Sequence, residues 1–145
     1  MKKIIILTAL FASVTLTGFS QDKAADMLAT LNREGKIALY INFETSKAEI
    51  NAESAGIISQ IAEMMNEDKQ LKISVEGHTD NAGQPKTNQA LSESRAKAVA
   101  QGIISKGVPV GRVTSKGWGA TKPLADNNTE DAKARNRRVE IVKVK

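Results

Sequence analysis

Cysteine is absent from all 145 positions. That one absence excludes disulfides, a thiol nucleophile, thiolate metal sites and a lipid anchor on an N-terminal cysteine. Aromatic residues are scarce at 3%, with one tryptophan and one tyrosine, so a stacking platform for sugars or bases has little to be built from. Histidine occurs once. With no metal-ligand or nucleophile set around it, His78 reads as a structural hydrogen-bonding residue rather than a catalyst. Ser92 and Ser94 have no base in sequence reach, so no enzymatic activity and no cofactor or metal are expected. Trp118 reads as a core or loop anchor, not a sugar platform. No block of like charge exists either. The net charge of +5 is spread over interspersed lysines, arginines and carboxylates, which argues against nucleic acid as partner.

What remains is an ordinary globular composition, 41% hydrophobic and 26% charged, without internal repeats. A chain of this length makes one domain able to bury a core. Its first 20 residues read as an export signal. Lys2 and Lys3 form a basic start, residues 4–11 (IIILTALF) an apolar run, and Gly18 and Ser20 frame a cut ahead of Gln21. The apolar run is shorter than the roughly 20 residues of a spanning helix, although an uncleaved membrane tether is the alternative. Removal of Lys2 and Lys3 leaves a net charge of +3.

Residues 21–36 are polar with a few apolar positions and read as a linker or short lead-in helix; residues 37–145 form the domain. Ile37, Leu39, Ile41 and Phe43 alternate as a strand with one apolar face. Asn51 is a good N-cap for a helix whose stripe is Ile57, Ile58, Ile61, Ala62, Met64 and Met65. Leu71, Ile73 and Val75 form a second strand ending at Gly77. A second helix spans about 87–106 and stops at Gly107. A third strand over 111–118, a loop over 120–136 with a short helix from Thr129, and a final strand over 137–145 complete the chain. The fold class is α+β: a two-layer β-α-β-α-β-β mixed sheet with helices packed on one face.

Two residues carry the chemistry. Asp80 leaves the second strand within residues 77–83 (GHTDNAG), where an Asx turn alone would explain it. Arg95 falls within the apolar stripe of the second helix, given as Leu91, Ala98, Val99, Gly102 and Ile103, and an arginine drawn inward needs a carboxylate or carbonyls. An internal Asp80–Arg95 salt bridge and a shared ligand pocket account for this equally well. Arg137 and Arg138 are expected to split between the two faces of the last strand, one of them meeting a carboxylate.

The string GHTDNAG, then Asn88, Leu91-Ser92-x-x-Arg95-Ala96, Val99 and finally Asn136-Arg137-Arg138-Val139-Glu140 resembles the OmpA-like C-terminal domain. Residues 35–54 resemble its entry strand, with Phe43 and Glu44 at the strand end. Thr87 stands where tyrosine is common. The resemblance implies non-covalent binding of the peptidoglycan stem peptide in the periplasm, linking envelope components to the cell wall, with an outer-membrane protein as a further partner. It also implies that Asp80 holds the ammonium of meso-diaminopimelate and Arg95 its carboxylate, which suits a zwitterion. Thr79, Asn88 and Leu91 would border them, with Phe43 and Glu44 alongside.

Overall fold

A computed structural model of the chain describes residues 17–43 and 47–145, with side chains from Lys23 onward. Glu44 of the expected pocket, and Lys2, Lys3 and residues 4–11 of the expected export signal, lie outside the described residues.

The elements run α1 (Thr17–Glu34), β1 (Lys36–Leu39), α2 (Ala52–Glu67), β2 (Ile73–His78), α3 (Pro85–Ser105), a single 3-10 turn, β3 (Val113–Gly117), α4 (Glu130–Asn136) and β4 (Arg138–Lys143). The lead-in segment is thus a helix. Its Ala24 and Leu31 are fully buried, in one core with α2, α3 and the sheet.

The sheet is mixed and four-stranded, in the order β1-β4-β2-β3. The last strand pairs antiparallel with both β1 and β2, while β2 and β3 run parallel. The sheet's apolar face presents Ile73, Val75, Val113, Val139 and Ile141 to the core. Alternation then assigns Lys36, Ser74, Glu76, Thr114 and Lys116 to the other face. The two-layer α+β fold expected from the sequence is the observed one.

Several boundaries moved, each for a physical reason. The first strand ends at Leu39 rather than Phe43, because its partner begins at Arg138, only one residue beyond the Leu39↔Val139 pair, and leaves no strand opposite Ile41 to Phe43. Phe43 makes only an isolated bridge to Ile50. Asn51 caps α2 as expected, accepting from the Ser54 N–H at 3.0 Å. Helix α3 opens earlier, at Pro85, whose missing N–H and fixed φ suit a first helical turn.

The buried stripe of α3 also differs from expectation. Asn88, Ser92, Ala96, Val99, Ala100 and Ile103 are buried, whereas Leu91, Arg95, Ala98 and Gly102 are half-buried at its flank. The cause lies in the sheet. A Cβ on Gly77 would collide with the Ser92 carbonyl oxygen, and one on Gly117 would lie 2.5 Å from the Glu93 backbone nitrogen. Two strand glycines bring the helix backbone so close that only small side chains fit between. Arg95 therefore sits on the shoulder of the helix, outside the core.

Candidate functional site

Asp80 lies two residues past β2, on a loop tied down at several points. The Thr79 N–H donates to the Gly119 carbonyl at 2.8 Å, and the Thr79 hydroxyl to the Asp80 carbonyl at 2.9 Å. Asn88, buried at the start of α3, donates its amide to the Ala82 carbonyl at 2.9 Å. Asp80 Oδ1 accepts from the Ala82 N–H at 2.9 Å, the Asx turn that the sequence suggested. Thr79 and Asn88 thus shape the Asp80 loop rather than border an open pocket.

Asp80 Oδ2 is taken by Arg137 Nη1 at 2.7 Å. The internal partner of Asp80 is therefore Arg137 and not Arg95, which corrects the salt-bridge alternative. Arg137 does not lie on a face of the last strand. It occupies the junction between α4 and β4, where the turn directs it toward the β2 end. Arg138, the first residue of β4, is buried and faces the polar side of the sheet.

Arg95 donates Nε to the Lys47 carbonyl at 3.1 Å and stacks its guanidinium over the Phe43 ring, 4.8 Å from the centroid. Partial burial, and then the nearby charge of Arg137, push its pKa below the ordinary arginine value; Asp80 opposes the shift. Two guanidinium groups therefore repel each other across this region, and the Asp80 carboxylate paired with Arg137 offsets part of that repulsion.

They share a cavity of about 300 Å³, lined among others by Tyr40, Phe43, His78, Arg95, Arg137 and Arg138. Phe43 and Arg95 come together in it as expected. Asp80, Thr79, Asn88 and Leu91 do not line it. Arg137 lines the cavity and also reaches Asp80. The signal for it was the NRRVE string, whose first arginine was read as a strand residue.

Behind this cavity lies a buried ion network. Arg138 donates Nε to Glu140 Oε1 at 3.1 Å and also binds the Lys122 carbonyl at 3.0 Å. His78, almost fully buried, has Nε2 at 3.5 Å from Glu140 Oε2. Among the described residues neither of its ring nitrogens has a hydrogen-bond partner, unlike the bonded role the sequence suggested. Burial, reinforced by the Arg138 charge, lowers its pKa to about 4, so the ring is neutral near pH 7. Burial raises the Glu140 pKa, but Arg138, His78 and Lys36 together outweigh it and hold the group below the carboxylate range.

Glu76, His78 and Glu140 place one ligand atom each within 4.8 Å of one another, the arrangement that invites comparison with a metal site. Arg138 and Lys36 already balance Glu140, and the Trp118 indole N–H binds Glu76 at 2.8 Å. This is ion-pair chemistry. Trp118 is a loop anchor, with the Lys116 and Lys122 ammoniums at 3.8 and 3.5 Å from its ring centroid. Ser92 is fully buried, donating to the Gln89 carbonyl and accepting from the Gly119 N–H, both at 2.8 Å. No nucleophile with a base is assembled among the described residues.

The described residues thus form a two-layer α+β domain with a polar, arginine-lined cavity at one end of its sheet. Comparison with known proteins places it. The OmpA family model matches residues 42–137. The chain is 39% identical over 106 residues to outer membrane porin F of Pseudomonas aeruginosa, covering 72% of this chain and 30% of the porin. It is 33% identical over 127 residues to the peptidoglycan-associated lipoprotein of Buchnera aphidicola, covering 88% and 71%. The crystal structure of the peptidoglycan-associated lipoprotein from Burkholderia pseudomallei superposes with a TM-score of 0.68 at 25% identity, covering 82% of this chain and 100% of that one. The chain belongs to the OmpA family, a family of non-enzymatic envelope proteins. It spans less than a third of the porin's length, and among the described residues no helix is long and apolar enough to cross a membrane.

Proposed function

We propose that this protein binds peptidoglycan non-covalently in the periplasm, by holding the meso-diaminopimelate of the stem peptide. The observation that carries the reading is the charge arrangement at one cavity: Arg95 on its wall, and Asp80 reached through Arg137. Asp80 receives the ammonium of the ligand's free amino-acid end and Arg95 its carboxylate, with Phe43 supporting the guanidinium by its stacked ring. Thr79 and Asn88 hold the Asp80 loop. The names of the lipoprotein relatives support cell-wall attachment. Export by a signal cut ahead of Gln21, and an outer-membrane protein as partner, complete the proposal.

Co-sedimentation with purified diaminopimelate-type sacculi tests it. Asp80→Asn and Arg95→Lys should each weaken binding about ten- to a hundredfold, since a charge-assisted contact is worth roughly 1.5 to 3 kcal/mol. Unchanged binding by both variants, or equal binding to lysine-type sacculi, would overturn it.

A second reading keeps the same pocket on an uncleaved, membrane-tethered chain. It is favoured by α1, which runs Thr17–Glu34 without a break at Gln21. The mass of the protein recovered from cells separates the two: a chain starting at Gln21 supports export, one retaining Lys2 and Lys3 the tether.

A further inference from the structure

Resting on the peptidoglycan reading, we infer that Arg137 is a counter-ion exchanged on binding, so that the site selects a ligand end carrying one ammonium and two carboxylates. In the free protein both Asp80 oxygens are engaged, Oδ1 by the Ala82 N–H and Oδ2 by Arg137. Asp80 does not line the cavity, whereas Arg137 does. An ammonium arriving from the cavity therefore meets a guanidinium before it meets the carboxylate. Sharing Oδ2 would hold two like charges in contact, so the ammonium takes the place of Arg137.

Arg137 is free to leave. Its side chain is 42% exposed, and it sits at the helix–strand junction outside the β4 ladder. Once displaced, it shares the cavity wall with Arg95, and no described carboxylate lines that wall. Glu140, the acid nearest to Arg138, is already held by Arg138 and Lys36. The Arg95 pKa, lowered in part by Arg137 already in the free protein, reports the same repulsion. The displaced guanidinium needs an anion, and the ligand must supply it.

In a diaminopimelate stem two groups offer that second carboxylate beside the zwitterionic end. One is the α-carboxylate of the preceding γ-linked glutamate. The other is the second carboxylate of diaminopimelate itself, free only when no D-alanine follows. Both present the same chemistry to Arg137.

Calorimetric titration with four synthetic stem peptides decides between them. These are the tripeptide and the tetrapeptide, each with the glutamate α-carboxylate either free or amidated. For the wild type, neutralising one of the two sources should lower affinity about tenfold, and the source that matters identifies the group bound. In Arg137→Gln the same neutralisation should change affinity less than twofold. Equal affinity of the wild type for all four peptides would overturn the exchange, as would an undiminished tenfold discrimination in Arg137→Gln. A second readout needs only the wild type: at saturation the Arg137 Nε–Hε resonance should shift with every peptide that binds, to one position when the second carboxylate is present and to another when it is neutralised. An unmoved resonance with every peptide that binds overturns the exchange. The peptidoglycan reading fails separately, if a lysine-containing tripeptide binds as tightly as the diaminopimelate one.

Discussion

Arg137 Nη1 lies 2.7 Å from Asp80 Oδ2, so the carboxylate that the sequence offers to a ligand already has a cation in the free protein. Arg95, on the same cavity, has no such carboxylate among the described residues and is held by a backbone carbonyl and an aromatic ring. The two arginines should therefore separate in stability measurements. Arg137→Gln strands Asp80, whose side chain is only 12% exposed, and should destabilise by about 1 to 2 kcal/mol after allowance for the exposure of Arg137. Arg95→Gln removes a repulsion along with its two contacts and should change stability by less than about 1 kcal/mol. Urea unfolding of both variants checks the assignment, and a larger loss at Arg95 would reverse it.

His78 makes folding stability fall on the acid side of neutrality. Its pKa drops from 6.5 to about 4 on folding, so between those values the unfolded chain binds more protons than the folded one. Stability is then fully present above pH 6.5 and declines as pH falls, by about 3 kcal/mol in total once pH 4 is reached. The lowered Glu140 pKa acts in the same direction at more acid pH. Thermal unfolding at pH 7, 5.5 and 4.5 should show the decline in the wild type and a shallower one in His78→Gln. Parallel curves for the two proteins would remove His78 as the cause.

Two glycine-to-alanine changes should move stability in opposite directions. At Gly117 the new methyl would press on the Glu93 backbone and the Ser92 hydroxyl, forcing α3 off the sheet, with an expected loss of about 3 kcal/mol or more. At Gly56, exposed in α2 with nothing within 4 Å of its Cβ position, alanine should stabilise by about 0.5 to 1 kcal/mol. Guanidinium midpoints for the pair are the measurement. A tolerated Gly117→Ala would mean that α3 and β3 pack less closely than described.

The parts of this fold written in local pattern were legible. Alternation marked the strands, Asn51 and Thr129 marked two helix starts, and Asn51 caps its helix as expected; the Thr129 side chain proves to cap as well. What escaped depends on partners distant in sequence. The end of β1 is set by where β4 begins, about a hundred residues later. Leu91 outranks Ser92 on any hydropathy count, yet Ser92 is the buried one, because Gly77 and Gly117 leave room for nothing larger. The site followed the same rule. Asp80 and Arg95 stand out by motif, but the pairing of Asp80 with Arg137 comes from the helix–strand turn after Asn136, which strand alternation cannot reveal.

The strand made last in the chain occupies an inner position in the sheet, between β1 and β2. Until β4 emerges, β1 has no neighbour, and Lys36 must wait for Val142. The sheet therefore cannot assemble progressively from its N-terminal end, and final closure requires the whole chain to be available at once. Long-range pairing of this kind slows folding relative to local structure. A chain interrupted before β4 leaves β1 unpaired and the sheet's central seam open.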